Sequence, residues 1–206
     1  LYHNKHAVYA LHRDKVSLSS CTADYSLDLM DSNELDSRFS QIKPDLVIHC
    51  AGLTSVDACE KKSALAQIMN ETITKNIARV CSNTTKLIYI SSDQVYGEAE
   101  SHSENNKNLQ PVNQYGKTKY LGEQKAAEHC PDCIIVRTNI FGWNVKPDKT
   151  SSAEWIYNSL KNGVAVGAWC QTSVVATKVG SHADVDCSGP IGGEITGIGK
   201  TVAVRP

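Results

Sequence analysis

The sequence lacks a hydrophobic run long enough to cross a membrane, and it carries almost no net charge. Its formal net charge of -1 gives no reason to expect a nucleic acid or an acidic membrane surface as a partner. Neither an initiator methionine nor the apolar region of a signal peptide opens the chain, so we expect it to begin inside a longer protein. With 41% hydrophobic and 21% charged residues, the composition is typical of a soluble globular protein.

The cysteines also lack the spacing of a metal site. A pair at Cys130 and Cys133, preceded by His129, has no second pair to complete the four ligands that zinc needs. We therefore predict no metal site. We expect the 8 cysteines to be reduced, mostly small core residues of a cytoplasmic protein. A thioredoxin-like redox role for the C-x-x-C pair is the alternative that this spacing leaves open.

Short apolar runs alternate with helical periodicity through the first three quarters of the chain. The runs predict strands at 7–11, 45–50, 86–91 and 133–137. The periodicity predicts a helix that starts within 31–34 and stops before Pro44, and further helices at 63–81, 115–128 and 153–160. In the helix over 63–81, Leu65 and Ile68 fall on the predicted inner face together with Ile73 and Ile77. From Val164 onward the periodicity is lost, so we expect residues 164–206 to form an irregular tail.

Alternating strands and helices predict an α/β fold with a parallel sheet covered on both faces. Ligands bind to such sheets beyond the carboxyl ends of the strands. The residues that directly follow the predicted strands are therefore the first candidates for a site: Ala51, Gly52, Ser91, Ser92, Asp93, Thr138 and Asn139.

The most informative pair is Tyr115 and Lys119, which lie four residues apart on a predicted helix and so share one of its faces. A nearby ammonium group favours the phenolate, so we expect the pKa of Tyr115 to fall from about 10 toward neutral pH. A tyrosine of that kind can exchange a proton with a carbonyl or alcohol oxygen. The accompanying hydride would have to come from a cofactor.

Several stretches together resemble a known family. They are Leu27-Asp28-Leu29-x-Asp31, residues 44–57 with Ala51, Gly52 and Thr54, Asn70, Ser91-Ser92-Asp93-x-Val95-Tyr96-Gly97, Pro111-x-Asn113-x-Tyr115-Gly116-x-x-Lys119-x-x-Gly122-Glu123, and Arg137-Thr138. In this order they resemble the extended short-chain dehydrogenases/reductases, a branch of the NAD-dependent epimerase/dehydratase superfamily, and most closely the dTDP-4-dehydrorhamnose reductase group. The resemblance covers roughly residues 5 to 163.

The resemblance implies a Rossmann-like doubly wound sheet and reduction of a nucleotide-linked 4-keto sugar by NADP(H) or NAD(H). It implies that Ser92 binds the substrate oxygen, that Tyr115 is the general acid, and that Lys119 holds the nicotinamide ribose. The implied cofactor-binding residues are Arg13, Asp28, Leu29, Ala51, Gly52, Thr54, Ser91, Tyr115 and Lys119, and the implied substrate-binding residues are Ser92, Asp93 and Asn139. Arg13 could meet a 2′-phosphate, which favours NADP(H). As alternatives to these roles, Arg13 can be a surface charge and Asp28 a turn residue.

The chain departs from the family at its start. No strand with a G-x-x-G-x-x-G turn opens it, although that turn holds the cofactor pyrophosphate in the family. We therefore expect the sheet to lack its first strand, which is central in the family, so that the second and third strands would be left without their neighbour. Residues 1–163 are then an incomplete NAD(P)-binding domain, and residues 164–206 a remnant of the substrate-binding domain.

Three further questions stay open at the level of sequence. The order of residues 139–143 differs from the family's pattern after Arg-Thr, so the sugar is not fixed. A sugar-nucleotide epimerase or dehydratase is one alternative, and a non-catalytic regulatory subunit resembling that of methionine adenosyltransferase is another. Some members of the family dimerise, so a homodimer is also open.

Overall fold

A computed structural model describes residues 6–13, 21–81, 85–97, 109–139, 154, 157–158, 161–162, 175–178 and 201–205. In chain order its strands and helices are β1 (Ala7–His12), β2 (Ala23–Ser26), α1 (Ser32–Ile42), β3 (Leu46–His49), α2 (Val56–Lys61), α3 (Ser63–Gln67), α4 (Ile73–Cys81), β4 (Lys86–Ile90), α5 (Gln114–His129), β5 (Ile134–Arg137), β6 (Val175–Lys178) and β7 (Thr201–Arg205). A π-helical turn (Ile68–Thr72) joins α3 to α4, and a 3-10 turn (Asp93–Val95) follows β4. Within these ranges no helix has both the length and the apolar character to span a bilayer. Most of the helix predicted at 153–160 falls outside them.

The seven strands form one sheet in the order β2-β1-β7-β3-β4-β5-β6. Strand β1 is parallel to β2, and β3, β4 and β5 are parallel to one another. Strands β6 and β7 are antiparallel to their neighbours. The predicted α/β class with a Rossmann-like parallel sheet is thus confirmed, and the parallel strands place their carboxyl ends at one edge.

Strand β7 corrects two expectations about the tail and the centre of the sheet. The tail is not irregular throughout, since it supplies β6 and β7. The central neighbour that the family's second strand, β1, was expected to lack is supplied by β7, in which Val202 pairs with both Ala10 and Ile48 of β3. Backbone N–H and C=O groups buried at the centre of a sheet require partners, and a short run of alternating valine and alanine can supply them.

The core lies between the sheet and the helices α1, α4 and α5. Ile73 and Ile77 of α4 are buried as predicted, but Leu65 and Ile68 are about 40% exposed, so their predicted place on the inner face was wrong. The π-helical turn explains the difference, because its wider winding adds a residue and rotates the preceding turns relative to α4. The other large buried side chains of this core include Leu11, Leu35, Phe39, Val47, Leu87, Tyr89 and Ile135.

Candidate active site at the carboxyl edge

The end of β4 places two serines at the carboxyl edge of the sheet. Ser91 and Ser92 are both buried, and the Ser91 N–H donates to the Val136 carbonyl of the neighbouring strand at 2.7 Å. Ser92 caps the 3-10 turn, because its Oγ accepts from the Gln94 N–H at 3.2 Å and also donates to an Asp93 carboxylate oxygen at 3.1 Å. The turn therefore fixes the backbone and side chain of Ser92 together.

Helix α5 is held against that turn at its first residues. Asn113 caps the helix by accepting from the Gly116 N–H at 2.8 Å, and its Nδ2 donates to Gln94 Oε1, also at 2.8 Å. A Cβ on Gly116 would overlap the Gln94 carbonyl, so only glycine permits this approach. The sequence motif thus places Tyr115 directly beside the serine segment.

The side chains of Tyr115 and Ser92 interact. The pKa of Tyr115 is nevertheless raised, chiefly because burial disfavours the phenolate, although the interaction with Ser92 opposes the rise and the Asp93 carboxylate adds to it. The expectation that Lys119 lowers this pKa was therefore wrong for the structure. The phenol stays protonated at neutral pH, so it remains able to donate.

Lys119 is buried one turn further along α5, and its ammonium group faces the strand below. Its Nζ donates to the Ile90 carbonyl at 2.6 Å and lies 4.3 Å from the centre of the Tyr89 ring. Burial lowers its pKa to about 8, although Glu123 and Cys50 raise it in part. The ammonium is thus directed at the end of β4, and this direction explains why it does little to lower the pKa of Tyr115.

The loop after β3 contains three of the predicted cofactor-binding residues: Ala51, Gly52 and Thr54. Asn70, in the π-helical turn, fixes this loop by accepting from the Leu53 N–H at 2.8 Å and donating to the Leu53 carbonyl at 3.0 Å. Its Nδ2 also donates to Thr118 Oγ1 at 3.0 Å, so one amide links the loop to α5. The sequence motif includes Asn70, but only the structure shows this linking role.

The remaining predicted residues follow the other parallel strands. Arg13 is exposed after β1, and its carbonyl accepts from the Ser26 hydroxyl at 2.9 Å. Asp28 accepts from the Met30 N–H at 2.9 Å, which is the turn role weighed above, and Leu29 is buried. Asn139 is exposed two residues beyond β5. All of them lie on the strand edge that carries Ser92, and their binding roles stay predictions.

Sequence reasoning missed a buried ionic network behind the serines. Both Glu123 carboxylate oxygens accept from Arg137, at 3.0 Å from Nε and 2.7 Å from Nη2, and Oε1 also accepts from the Ser91 hydroxyl at 2.5 Å. Arg137 Nη1 donates to the Tyr96 hydroxyl at 3.2 Å. The position of Glu123, four residues after Lys119 on the same helix face, was the available indication.

Other features of the described ranges lie apart from this site. A groove of about 570 Å³ opens at the opposite edge, where Lys43, Pro44 and Asp45 precede β3 and Thr85 precedes β4. No group of three or more metal-ligating side chains occurs in the ranges that could be searched. His49 is buried and hydrogen-bonded to Thr74 Oγ1 at 3.1 Å, so it is a packed histidine.

Comparisons with known proteins agree with this architecture. The probable low-salt glycan biosynthesis reductase Agl14 of Haloferax volcanii is 26% identical over 183 residues, which are 86% of this chain and 60% of that protein. The dTDP-4-dehydrorhamnose reductase of Salmonella typhimurium is 28% identical over 126 residues, 60% of this chain and 42% of that enzyme. The methionine adenosyltransferase 2 subunit beta of Xenopus laevis is 26% identical over 136 residues, 66% of this chain and 41% of that subunit.

The crystal structure of dTDP-4-dehydrorhamnose reductase from Bacillus anthracis in complex with NADP superposes with a TM-score of 0.58 at 29% identity. The match covers 72% of this chain and 54% of that one, so the chain spans about half the length of the proteins it matches. Residues 2–146 match the family described as the RmlD substrate binding domain. Because this match covers well over half of the sequence, the chain belongs to the RmlD substrate binding domain family.

Proposed function

We propose that this chain is part of an NAD(P)H-dependent reductase that acts on a nucleotide-linked 4-keto sugar, as dTDP-4-dehydrorhamnose reductases do. The observation that carries the proposal is the interaction of Ser92 with Tyr115, with Lys119 on the same face of α5. Residues 1–163 are proposed as the cofactor domain and 164–206 as part of a substrate domain, although β6 and β7 join the sheet of the first.

The proposed chemistry assigns one proton to Tyr115. The Ser92 hydroxyl hydrogen-bonds the substrate carbonyl oxygen, which orients it toward the phenol of Tyr115. As negative charge develops on that oxygen, the Tyr115 hydroxyl transfers its proton and an alcohol results. The raised pKa of Tyr115 suits this direction, because a general acid must hold its proton when the substrate binds. Asp93 and Asn139, which flank the site, are proposed to contact the sugar.

The residues at this edge fit the nicotinamide half of the proposed cofactor. NAD(P)H, when bound, supplies the hydride. Lys119 uses one of its three N–H bonds on the Ile90 carbonyl, so its donors suit the hydroxyls of a ribose. Ala51, Gly52 and Thr54 in the loop after β3 and Ser91 after β4 are proposed to contact the cofactor on that side. Arg13, Asp28 and Leu29 lie on the strands where the adenosine half would bind, and Arg13 favours NADP(H).

The test is NADPH oxidation by the full-length protein with a dTDP-4-keto-6-deoxysugar. Tyr115→Phe should lower kcat by about 10²- to 10⁴-fold, the contribution typical of a general acid. Tyr120→Phe is the matched control on the same helix and should retain turnover. Equal rates in Tyr115→Phe and the control, or no substrate-dependent oxidation in the wild type, would contradict the proposal.

A second candidate is a non-catalytic subunit of a methionine adenosyltransferase. The match to subunit beta of that enzyme, over 66% of this chain, supports it. Co-purification with a methionine adenosyltransferase in the absence of reductase activity would favour this candidate over the reductase.

Cytoplasmic location and homodimerisation are proposed only as properties of the reductase. Cys59, Cys81 and Cys133 are reduced thiols and fully buried, which is compatible with a reducing compartment. Cell fractionation and the mass of the full-length protein in solution would test these two properties.

A further inference from the structure

The last residue of β4 and the two that follow it each interact with the same face of α5. The Ile90 carbonyl accepts from Lys119, the Ser91 hydroxyl donates to Glu123, and the side chain of Ser92 interacts with that of Tyr115. The three helix residues are spaced by four, so they succeed one another at single turns along that face. Glu123 is the member of this set to which the proposed chemistry assigns no role.

The Glu123 side chain is held in one orientation. It is 3% exposed, and the Arg137 guanidinium binds both of its oxygens in a forked geometry, which fixes the plane of the carboxylate. Arg137 is itself fixed by the Tyr96 hydroxyl and lies over the Tyr96 ring at 5.1 Å. The carboxylate therefore presents a fixed acceptor to Ser91, adjacent to the residue that pairs with Tyr115.

Glu123 also supplies negative charge toward Lys119. The titratable groups that face Lys119 are Glu123 on its own helix, His49 and Cys50 at the end of β3, and Tyr89 on β4. Burial keeps the last three neutral at pH 7, because it lowers the pKa of His49 to about 3 and raises those of Cys50 and Tyr89. Of these four groups, only the carboxylate can balance the ammonium charge.

We propose that Glu123, oriented by Arg137, is the positioning residue of this site: it fixes the Ser91–Ser92 segment against Tyr115 and provides the counter-charge of Lys119. It does not touch the reacting atoms. Its catalytic consequence rests on the proposed reductase function, because a neutral Lys119 and a displaced Ser92 would both weaken binding and proton transfer at the candidate site.

The decisive measurement is the titration of Lys119 by NMR in protein labelled with ¹³C-lysine. The Lys119 signal is assigned by its loss in Lys119→Arg, and it should stand apart because its pKa is about 8 whereas exposed lysines titrate near 10.4. In Glu123→Gln the pKa of Lys119 should fall by about one pH unit, since the attracting charge is gone. Glu128→Gln, on the exposed side of α5, is the matched control and should leave it unchanged.

A loss of stability in Glu123→Gln would not distinguish a positioning role from a purely structural one. The direction of the change in the Lys119 pKa is therefore the test. If Glu123→Gln fails to fold with Arg137 left unpaired, Glu123→Gln combined with Arg137→Met removes both charges and carries the same measurement. A smaller fall is expected there, because the loss of the positive charge of Arg137 offsets part of the loss of the Glu123 charge. A wild-type value of the Lys119 pKa in the folded variants would overturn the proposal.

NADPH oxidation by the wild-type protein is a separate readout. Its absence together with the expected fall in the Lys119 pKa would remove the reductase function and leave the positioning role intact. NADPH oxidation without that fall would support the reductase function and overturn the positioning role of Glu123.

Discussion

The two halves of the sheet are stabilised in different ways. In the half formed by β3, β4 and β5, the strand ends are tied to α5 by a network in which Glu123 and Arg137 satisfy each other. In the half formed by β1 and β2, both ring nitrogens of the buried His12 have no hydrogen-bond partner within the described part of the chain. The first half is tied together by residues of β4, β5 and α5, whereas the second is linked to it within the sheet by β7, a strand from far along the sequence that pairs with both β1 and β3. The half of the sheet that is tied to α5 by this network is thus also the half that carries the candidate catalytic residues.

The largest loss of stability is expected when the Glu123–Arg137 pair of the first half is disrupted. Arg137→Met should lower the free energy of unfolding by about 3–5 kcal/mol, because it leaves the Glu123 carboxylate buried without its cation. Urea denaturation measures this loss. Arg79→Met is the control: it removes the exposed pair with Asp36 at 3.0 Å and should cost about 1 kcal/mol or less. Equal losses in both variants would show that the network adds no more than a surface pair.

Acid should destabilise the sheet where its two halves meet, because the buried His49 of β3 pairs there with Thr201 of β7. The pKa of His49 is lowered to about 3, so below pH 6.5 the unfolded chain binds a proton that the folded chain does not. Stability should therefore fall as the pH drops from 6.5, by about 3 kcal/mol at pH 4 from this histidine. Denaturation at several pH values should show a flatter profile in His49→Gln. His129→Gln, a partly exposed control, should keep the wild-type slope.

A proline in β7 tests how far the half formed by β1 and β2 depends on that strand. Val202→Pro removes an N–H from the ladder that pairs with Ala10 and Ile48, and it should cost about 2 kcal/mol. Hydrogen exchange should quicken in β1 and β2 and change less in β4 and β5. Ala176→Pro on β6, at the end of the strand order, is the matched control and should have a smaller effect. Uniform exchange across the sheet would contradict the division into halves.

The smallest loss of stability is expected when one of two helix N-caps, Asn113 or Asp31, is removed. Asn113→Ala and Asp31→Ala each remove a side chain that accepts from the first turn of a helix, α5 and α1 respectively, and each should cost about 1 kcal/mol. Only Asn113 also bonds the turn after Ser92, so only its loss should lower NADPH oxidation beyond the effect on stability. Similar activity losses in the two variants would remove that distinction.

The sequence was informative where a local pattern sufficed. Continuous apolar runs predicted the parallel strands, and the spacing of Tyr115 and Lys119 predicted one face of α5 beside Ser92. The short helix α2 and the π-helical turn were missed, because neither has enough residues to show a period. The place of β7 depends on pairing between distant segments, which no local pattern reveals.

The error on the pKa of Tyr115 has a different cause. Spacing alone gave Lys119 as its neighbour, but the rotamer of that lysine is set by the Ile90 carbonyl and the Tyr89 ring. Burial then outweighs a cation that points elsewhere. The cost of desolvation depends on the packing of several elements, and for that reason it could not be estimated from the motif.

The reversed direction of β7 has a consequence for how this edge could meet an anion. A central strand that ran parallel to its neighbours would finish at the edge near Ser92, and a helix beginning there would point its positive dipole end at a phosphate. Here it is Thr201, the first residue of β7, that lies beside Leu11 and His49, while Arg205 lies at the far edge. Because β7 ends at the far edge, a helix following it could not direct its positive dipole end at a phosphate beside Ser92.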